Sequence, residues 1–370
     1  MRVSNYFDEA YSYYDEVLAS YRDYWQISPF TARSWPWQES TEQLQKTIGE
    51  ALQALPNIID TAVSGEEFAV PFWLAKGIPG RKLEQLQGFV QHIDGDFPLI
   101  EWCAGKGHLG RLSSFRTQQS VLSLEWQAGL CQQGEQLAEH QRVAQQFLAV
   151  DVMQLPFDWL PSERSVVALH ACGDLHRRLL EQAATQGQRK LFIAPCCYHL
   201  IKNQHYQPLS KRGQQSLITL SRAQLKLAVQ EQVTGGNRVA RLRDIEQLWR
   251  LLFETYRAEC TGQTSYRPLP SVAKHWFSGP LMAFIAWACK QQQLALPTLA
   301  QLDALLPRAQ QRLQLVREID TVRQLFRLPL ERWLQLDYVL YLQQQGYQVQ
   351  LRQFCRYQDS PRNTLIIAKR

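Results

Sequence analysis

The sequence lacks any run of about 18 uninterrupted apolar residues, so no membrane-spanning helix is expected. It also lacks a basic start followed by an apolar run. The first residues, MRVSNYFDEAYSYYDEV, are acidic and aromatic, so no secretory signal is expected. Eight cysteines in 370 residues, two of them adjacent (Cys196 and Cys197), do not form the pattern of a small disulfide-stapled secreted domain. These absences predict a cytoplasmic protein without a membrane partner.

The sequence also lacks a large excess of charge of either sign. The 40 Lys and Arg residues exceed the 34 Asp and Glu residues by only six, which gives a formal net charge of +6 and favours a polyanionic partner only weakly. The hydrophobic fraction of 45% and charged fraction of 20% are those of a globular chain and exclude a disordered or fibrous one. A length of 370 residues predicts about two or three structural units.

The residue pattern changes along the chain and divides it into regions. From about residue 98, short β-rich runs alternate with helical stretches, which is the βαβ pattern of a parallel sheet. The sheet signal stops after His199 and resumes near Tyr347 as two runs joined by a polar turn, which predicts an antiparallel hairpin returning to the sheet edge. The predicted α/β chain therefore has a helical N-terminal region (1–97), a sheet domain (98–199 and 346–370) and a helical insertion (200–345) expected to contact the substrate.

A glycine-rich loop follows the first predicted strand. Residues 101–110, EWCAGKGHLG, have GxGxxG spacing between a strand and a helix, a weak signal for a ligand at the helix N-terminus. Glu125, at the end of the second strand, is placed to bind the ribose hydroxyls of an adenosine ligand. Glu101 would repel a pyrophosphate and suits a cation. The pattern favours S-adenosylmethionine, which has a sulfonium and an ammonium group and no phosphate, over NAD or FAD.

A third strand-end acid, Asp151, closes the third strand, where it can accept a hydrogen bond from the adenine amino group. Each acid alone could equally be a helix N-cap or a solvated strand end, but three in this order at one sheet edge favour the cofactor. The predicted cofactor contacts are Glu101, Cys103, Ala104, Gly105, Gly107, Glu125, Trp126, Asp151, Val152 and His170.

The fourth and fifth predicted strands end in clusters of Cys, His and Asp. The fourth ends in HACGDL (170–175) and the fifth in PCCYH (195–199). Because the carboxyl ends of parallel strands meet at one edge of a sheet, both clusters are expected around the acceptor space.

Three kinds of chemistry, besides plain packing at the strand ends, fit this cluster. Asp174, His170 or His199 could act as the base that removes a proton from the acceptor. A cysteine thiolate could instead add to a pyrimidine ring and activate its C5 carbon. Cysteine and histidine could also bind zinc, but no CxxC pair exists and the cysteines at 196 and 197 are adjacent, so no metal ligand is predicted.

Basic residues with aromatic residues among them mark the predicted insertion. Such residues can neutralise phosphates and stack unpaired bases, although ordinary solvated helix faces explain them equally well. The basic residues are Lys202, Lys211, Arg212, Arg238, Arg241, Arg243, Arg267, Lys274 and Arg332, and the aromatic ones Tyr198, Tyr206, Tyr256, Tyr266 and Trp276. The predicted substrate-binding residues are Cys196, Cys197, Tyr198, Lys202 and Arg212.

Four segments together resemble a known family: the loop at 101–110, the segments 170–175 and 195–199, and SPRNTLII at 360–367. They are similar to class I S-adenosylmethionine-dependent methyltransferases with a CGDL and a CCYH motif, a group of methyltransferase-like proteins related to the glutathione S-transferase C-terminal-domain-containing protein. A more distant similarity is to tRNA 2′-O-methyltransferases, whose fifth strand ends in Cys-Cys-His-His. The resemblance covers about residues 80–200 and the last 25. It implies a Rossmann-like sheet of seven strands and S-adenosylmethionine as methyl donor.

Three functions remain open at this point. The leading one is a methyltransferase acting on RNA, either tRNA or rRNA. The second is a methyltransferase acting on a protein or small molecule, with the insertion as a lid over the acceptor. The third is a non-catalytic binding protein that keeps the fold. The sequence predicts neither the methylated atom nor the oligomeric state.

Overall fold

A computed structural model of the chain describes residues 2–61, 68–230 and 237–370. It divides into two compact units. The sheet unit comprises residues 1–20, 54–231 and 327–370, and the helical unit comprises residues 21–53 and 232–326. This division differs from the predicted one, because both the N-terminal region and the insertion are shared between the two units. The helices near the ends of the insertion, residues 222–229 and 327–344, belong to the sheet unit, where the second packs against the first and against the N-terminal helix.

The sheet unit contains a seven-stranded sheet with the order β3-β2-β1-β4-β5-β7-β6. Strands β1 to β5 run parallel, and β7 lies antiparallel between β5 and β6. The predicted α/β sheet and its C-terminal hairpin are confirmed. The strands are β1 (Leu99–Trp102), β2 (Val121–Glu125), β3 (Gln145–Ala149), β4 (Ser165–Cys172), β5 (Lys190–Cys196), β6 (Gln348–Gln353) and β7 (Thr364–Lys369).

Thirteen α-helices lie in the described part of the chain. Those of the sheet unit are α1 (Arg2–Ser20), α4 (Phe72–Ala75), α5 (Gly80–Val90), α6 (His108–Thr117), α7 (Ala128–His140), α8 (Asp174–Gln186), α9 (Arg222–Val229) and α13 (Arg327–Gln344). Those of the helical unit are α2 (Arg22–Trp25), α3 (Thr41–Gln53), α10 (Asn237–Thr261), α11 (Leu281–Gln292) and α12 (Leu299–Gln324). None of these helices is long and apolar enough to cross a membrane.

The central strands are apolar because helices cover both faces of the sheet. Leu99 of β1, Val167 of β4 and Phe192 of β5 are fully buried in one cluster with Phe89 of α5 and Leu112 of α6. Burying a side chain of this size contributes roughly 1.5–3 kcal/mol. This core fixes the strand ends from which the side chains of the candidate site extend.

Three non-glycine residues at these strand ends have a positive φ. They are Cys103 after β1 (59°), His170 within β4 (65°) and Cys197 after β5 (48°). Such conformations cost of order 1–3 kcal/mol each and persist only where the surrounding structure imposes them. The register between β4 and β5 also shifts between Leu169 and Cys172. Half of the six positive-φ non-glycine residues in the described chain therefore lie at the carboxyl edge of β1, β4 and β5.

The helical unit has its own core. Phe253 of α10, Phe284 of α11 and Leu305 of α12 are buried in one apolar cluster. A buried ion pair joins Arg257 and Glu254 within α10 at 2.8 Å. The unit is therefore held by packing of helices without a sheet.

Candidate functional site

The loop between β1 and α6 and the first turn of α6 contain glycines of two kinds: some allow close packing, and one leaves open space. A Cβ on Gly107 would lie 2.3 Å from Gln145 Nε2, and one on Gly110 would lie 2.5 Å from Glu101 Oε2, so both positions need glycine for close packing. Gly105 also has a positive φ of 59°, but none of the described residues lies within 4 Å of where its Cβ would be. The loop therefore leaves open space beside Gly105, where a ligand can approach the backbone.

Glu101 lies inside the protein beneath this loop. Its Oε2 accepts hydrogen bonds from Ser123 Oγ at 2.6 Å and from Gln145 Nε2 at 3.2 Å. Burial raises the pKa of this carboxyl to about 7. The predicted position at the ligand is therefore corrected: Glu101 supports the loop from below, and the argument that it repels a pyrophosphate loses its basis.

Glu125 and Asp151 lie at the carboxyl edge of the sheet, as predicted. Glu125 Oε2 accepts a hydrogen bond from the Gly105 N–H at 2.9 Å, and its Oε1 accepts one from the Gln127 N–H at 3.0 Å. Asp151 is exposed, and its Oδ1 accepts a hydrogen bond from the Met153 N–H at 2.9 Å. Both acids thus shape the adjoining loops and keep oxygen lone pairs for a ligand.

The side chain of Cys103 faces these two acids. Burial, with a smaller contribution from the negative charges of Glu125 and Asp151, raises the pKa of its thiol to about 12. Trp126 follows Glu125 with 70% of its surface exposed, whereas Val152, beside Asp151, is buried. The structure therefore brings most of the predicted cofactor residues to one edge.

His170 is held by a chain of two hydrogen bonds. Its Nε2 donates to Gln85 Oε1 at 3.0 Å, and Gln85 Nε2 donates to the Asp359 carbonyl at 2.9 Å, which orients the amide. Neighbouring atoms displace water from the imidazole, and this desolvation lowers the pKa of His170. The positive charges of Lys82 and Arg362 also lower it. The imidazole is therefore neutral near neutral pH, with Nδ1 as the nitrogen that can accept a proton.

Asp174 fastens the segment that follows β5. Its backbone N–H donates to the Leu200 carbonyl at 3.0 Å, and its Oδ2 accepts a hydrogen bond from the Lys202 N–H at 2.7 Å. Gly173 allows this approach, since a Cβ there would lie 2.0 Å from the Leu200 carbonyl oxygen. The structure gives Asp174 a positioning role, and its predicted role as a base stays a prediction.

The sulfur atoms of Cys172, Cys196 and Cys197 lie within 4.8 Å of one another. Cys172 Sγ and Cys196 Sγ are 3.1 Å apart. Hydrogen bonds from these two thiols lower the pKa of Cys197, and the positive charges of His199 and Arg362 lower it further. The structure thus brings Cys172, Cys196 and Cys197 together into one group, which we call the thiol cluster.

Tyr198 is not a substrate contact. It is 1% exposed and its ring packs against His176 and Tyr338, with centroids 5.7 and 6.2 Å apart. Tyr206 and Tyr256, two other predicted stacking residues, are also buried. These predictions were wrong because the helical segments that cover the three rings lie far from them in the sequence.

Two of the predicted basic residues also donate hydrogen bonds to other residues of the sheet unit. Arg332 Nη1 donates to Thr364 Oγ1 at 2.7 Å, and Arg212 Nη2 donates to Ser12 Oγ of α1 at 2.7 Å. Arg212 therefore has a structural contact that its sequence position did not indicate. The side chain of Lys202 is exposed, so it stays available to a partner.

Arg362 and Gln85 belong to the site, although sequence reasoning did not select them. The positive charge of Arg362 acts on His170, Cys197 and His199, so this guanidinium faces the thiol cluster. Arg362 lies in the SPRN segment that carried part of the family resemblance. That resemblance was the feature of the sequence that could have identified Arg362 as a site residue. Nothing in the local sequence marks Gln85.

Comparison with known proteins agrees with this geometry. Residues 81–204 match a family model described as a methyltransferase domain. The match covers about a third of the chain. The sheet order, with β7 antiparallel between β5 and β6, confirms the predicted α/β class with a seven-stranded sheet. No curated protein sequence matches the chain.

Several solved structures are similar to parts of the chain at low TM-scores. The tRNA (uracil-54, C5)-methyltransferase of Pyrococcus abyssi aligns with 15% identity and a TM-score of 0.26, covering 30% of this chain and 27% of that one. Magnesium protoporphyrin IX methyltransferase from Synechocystis PCC 6803 aligns with 16% identity and a TM-score of 0.28, covering 35% and 61%. Geranyl diphosphate C-methyltransferase from Streptomyces coelicolor A3(2) aligns with 14% identity and a TM-score of 0.27, covering 49% and 64%. The chain thus spans less than two thirds of each, and their acceptors differ.

The residues at the sheet edge fit an adenosine-containing cofactor. The open space beside Gly105 admits a ligand to the loop backbone. Glu125 has lone pairs for ribose hydroxyls, and exposed Asp151 has Oδ2 for an adenine amino group. Exposed Trp126 offers a flat apolar face beside them. These four residues would hold S-adenosylmethionine.

Proposed function

We propose that this protein is an S-adenosylmethionine-dependent methyltransferase whose acceptor is RNA, either tRNA or rRNA. The observation that carries the RNA proposal is the positive charge around the acceptor edge. Lys82 and Arg362 act on His170, and Lys226 and Arg362 act on His199. Three cationic side chains from α5, α9 and the C-terminal hairpin therefore face one edge, which favours an anionic acceptor.

The helical unit offers a second basic feature. A cleft of about 270 Å³ there is lined by Arg33, Arg308 and Arg312 together with Thr255 and Thr264. The Nε and Nη1 atoms of Arg312 are buried and have no hydrogen-bond partner among the described residues. Guanidinium groups with free donors bind phosphate oxygens well, so this cleft supports a nucleic-acid partner.

The family resemblance points the same way. Segments 170–175 and 195–199 resemble the CGDL and CCYH motifs of methyltransferase-like proteins and, more distantly, tRNA 2′-O-methyltransferases. The eight cysteines are all unpaired, which supports the proposal that the protein works in the cytoplasm.

In the proposed reaction, the cofactor supplies an electrophilic methyl group. Glu125 and Asp151 bind and orient the adenosine moiety at the sheet edge. His170, held through Nε2 by Gln85, accepts the proton of the acceptor at Nδ1. Asp174 holds the segment after β5, which carries the exposed Lys202 toward the acceptor.

The proposal is tested with labelled S-adenosylmethionine offered to total RNA, protein and metabolite fractions. We expect label in RNA. Arg362→Ala should reduce transfer and lower the salt slope of RNA binding by about one unit, because one phosphate contact is lost. Arg189→Ala is the matched control, since Arg189 is exposed and directly precedes β5 at the opposite edge of the sheet.

Two results would count against this function in different ways. Label in the protein or metabolite fraction alone would reject the RNA acceptor and keep the enzyme. Calorimetry that detects no binding of S-adenosylmethionine by the wild type would reject the enzyme and leave a non-catalytic protein.

A further inference from the structure

The thiol cluster is built by the junction between β4 and β5. These strands are parallel neighbours, and Cys172 pairs directly with Cys196 in their register. Successive side chains of a strand normally point to opposite faces, so Cys197 should point away from Cys196. The positive φ of Cys197, 48°, interrupts this alternation and turns its thiol back toward the other two.

Further contacts hold this junction in place. The Gly173 N–H donates to the Cys196 carbonyl at 3.2 Å, and the Asp174 N–H donates to the Leu200 carbonyl at 3.0 Å. Cys172 Sγ also donates to the His170 carbonyl at 3.2 Å. The backbone on both sides of the cluster is thus tied together, which preorganises the three sulfur atoms.

The spacing of the sulfur atoms suits a tetrahedral metal ion. Zinc binds thiolates at about 2.3 Å, which places two thiolates of one tetrahedron about 3.8 Å apart. Cys172 Sγ and Cys196 Sγ are 3.1 Å apart, and all three sulfur atoms lie within 4.8 Å of one another, so each pair is close to the separation that a shared ion requires. Small side-chain rotations would bring all three sulfur atoms to one ion.

His199, two residues after Cys197, offers a fourth ligand atom, although its ring nitrogens are not among the atoms that lie within 4.8 Å of one another. His199 Nδ1 is a buried atom with no hydrogen-bond partner among the described residues. Leaving a buried polar atom unpaired costs about 1–3 kcal/mol, so a bound ligand would relieve this cost. The positive charge of Arg362 beside Cys197 offsets part of the repulsion between three thiolates.

We propose that Cys172, Cys196 and Cys197 bind a zinc ion through their three thiolates, with the fourth position left to His199 or water. The site lies at the carboxyl edge of β4 and β5, and its existence does not depend on methyl transfer. The proposal departs from the expectation drawn from the missing CxxC pair, because one of the three ligands comes from the neighbouring strand.

The metal content of the full chain, purified under reducing conditions without chelators, tests this proposal. We expect about one zinc ion per chain, and cobalt substitution should produce a thiolate-to-cobalt charge-transfer absorption. Cys172→Ser and Cys197→Ser should lose both signals. Cys260→Ser is the matched control and should keep them, since Cys260 is exposed on α10.

A second measurement uses only the wild type, so its result does not depend on whether the cysteine variants fold. Alkylation followed by mass spectrometry should show Cys197 protected in the zinc-loaded protein and modified after a chelator removes the ion. A reduced, folded wild type that contains no zinc and gives no cobalt–thiolate absorption would overturn the proposal. So would alkylation of Cys197 at the same rate with and without the chelator.

Discussion

Replacing His176 should change how the stability of the sheet unit depends on pH. His176 is fully buried, its Nδ1 donates to the Ala171 carbonyl at 2.8 Å, and its Nε2 accepts a hydrogen bond from the Tyr338 hydroxyl at 2.9 Å. Burial lowers its pKa from 6.5 to about 4. The folded protein therefore keeps this imidazole neutral at pH values where the unfolded chain protonates it.

The size of the effect follows from the shift in pKa. A shift of about 2.5 units corresponds to about 3 kcal/mol, at about 1.4 kcal/mol per unit. Because the pKa is lower in the folded state, this stability is fully present above about pH 6.5 and is lost as the pH falls toward about 4. His176→Gln cannot titrate, so its free energy of unfolding should fall by about 3 kcal/mol less than that of the wild type over this range.

Hydrogen exchange of peptides from β4 and β5, followed through a urea titration at each pH, reports the unfolding of the sheet unit. His205→Gln is the control, because His205 is exposed in the same unit and its variant should follow the wild type. If the wild type and His176→Gln lose stability in parallel between about pH 6.5 and 4, burial does not keep His176 neutral and the reasoning is refuted.

Four further changes probe the cofactor edge and the packing of the protein. Asp151→Ala should weaken binding of S-adenosylmethionine by about 1–3 kcal/mol in calorimetry, and an unchanged affinity would remove Asp151 from the site. Gly110→Ala should lower the free energy of unfolding by about 1–3 kcal/mol, because its Cβ would lie 2.5 Å from Glu101 Oε2. Gly129→Ala, with nothing described within 4 Å of its Cβ in α7, should instead stabilise the protein by about 0.5–1 kcal/mol. Asp337→Ala should destabilise it by about 3 kcal/mol in urea titration, because the buried Leu209 N–H and Ser210 N–H lose their acceptor; a loss below about 1 kcal/mol would contradict this.

The features that sequence reasoning predicted well are local ones. The alternation of short apolar runs and helices carried the information for the sheet, because both faces of its central strands are buried. Glu125 is the last residue of β2 and Asp151 lies two residues after β3, so their place at the edge depended only on strand ends. The C-terminal hairpin was visible as two apolar runs around a polar turn.

The features that sequence reasoning missed depend on distant parts of the chain. Tyr198 is buried against Tyr338, which lies 140 positions later on α13. Glu101 is buried because Ser123 and Gln145 from the next two strands supply its hydrogen bonds. The thiol cluster depends on the register of two strands and on the φ of Cys197, neither of which a motif records.

The position of β7 has a consequence for how the chain emerges from the ribosome. Strand β5 pairs with β7, yet about 170 residues separate the end of one from the start of the other. At about 5–20 residues per second, the apolar β5 edge waits roughly 10–30 s for its partner during synthesis. An unpaired apolar strand is a template for wrong pairing, so chaperone dependence during translation, and aggregation of chains truncated before β7, should be properties of this protein.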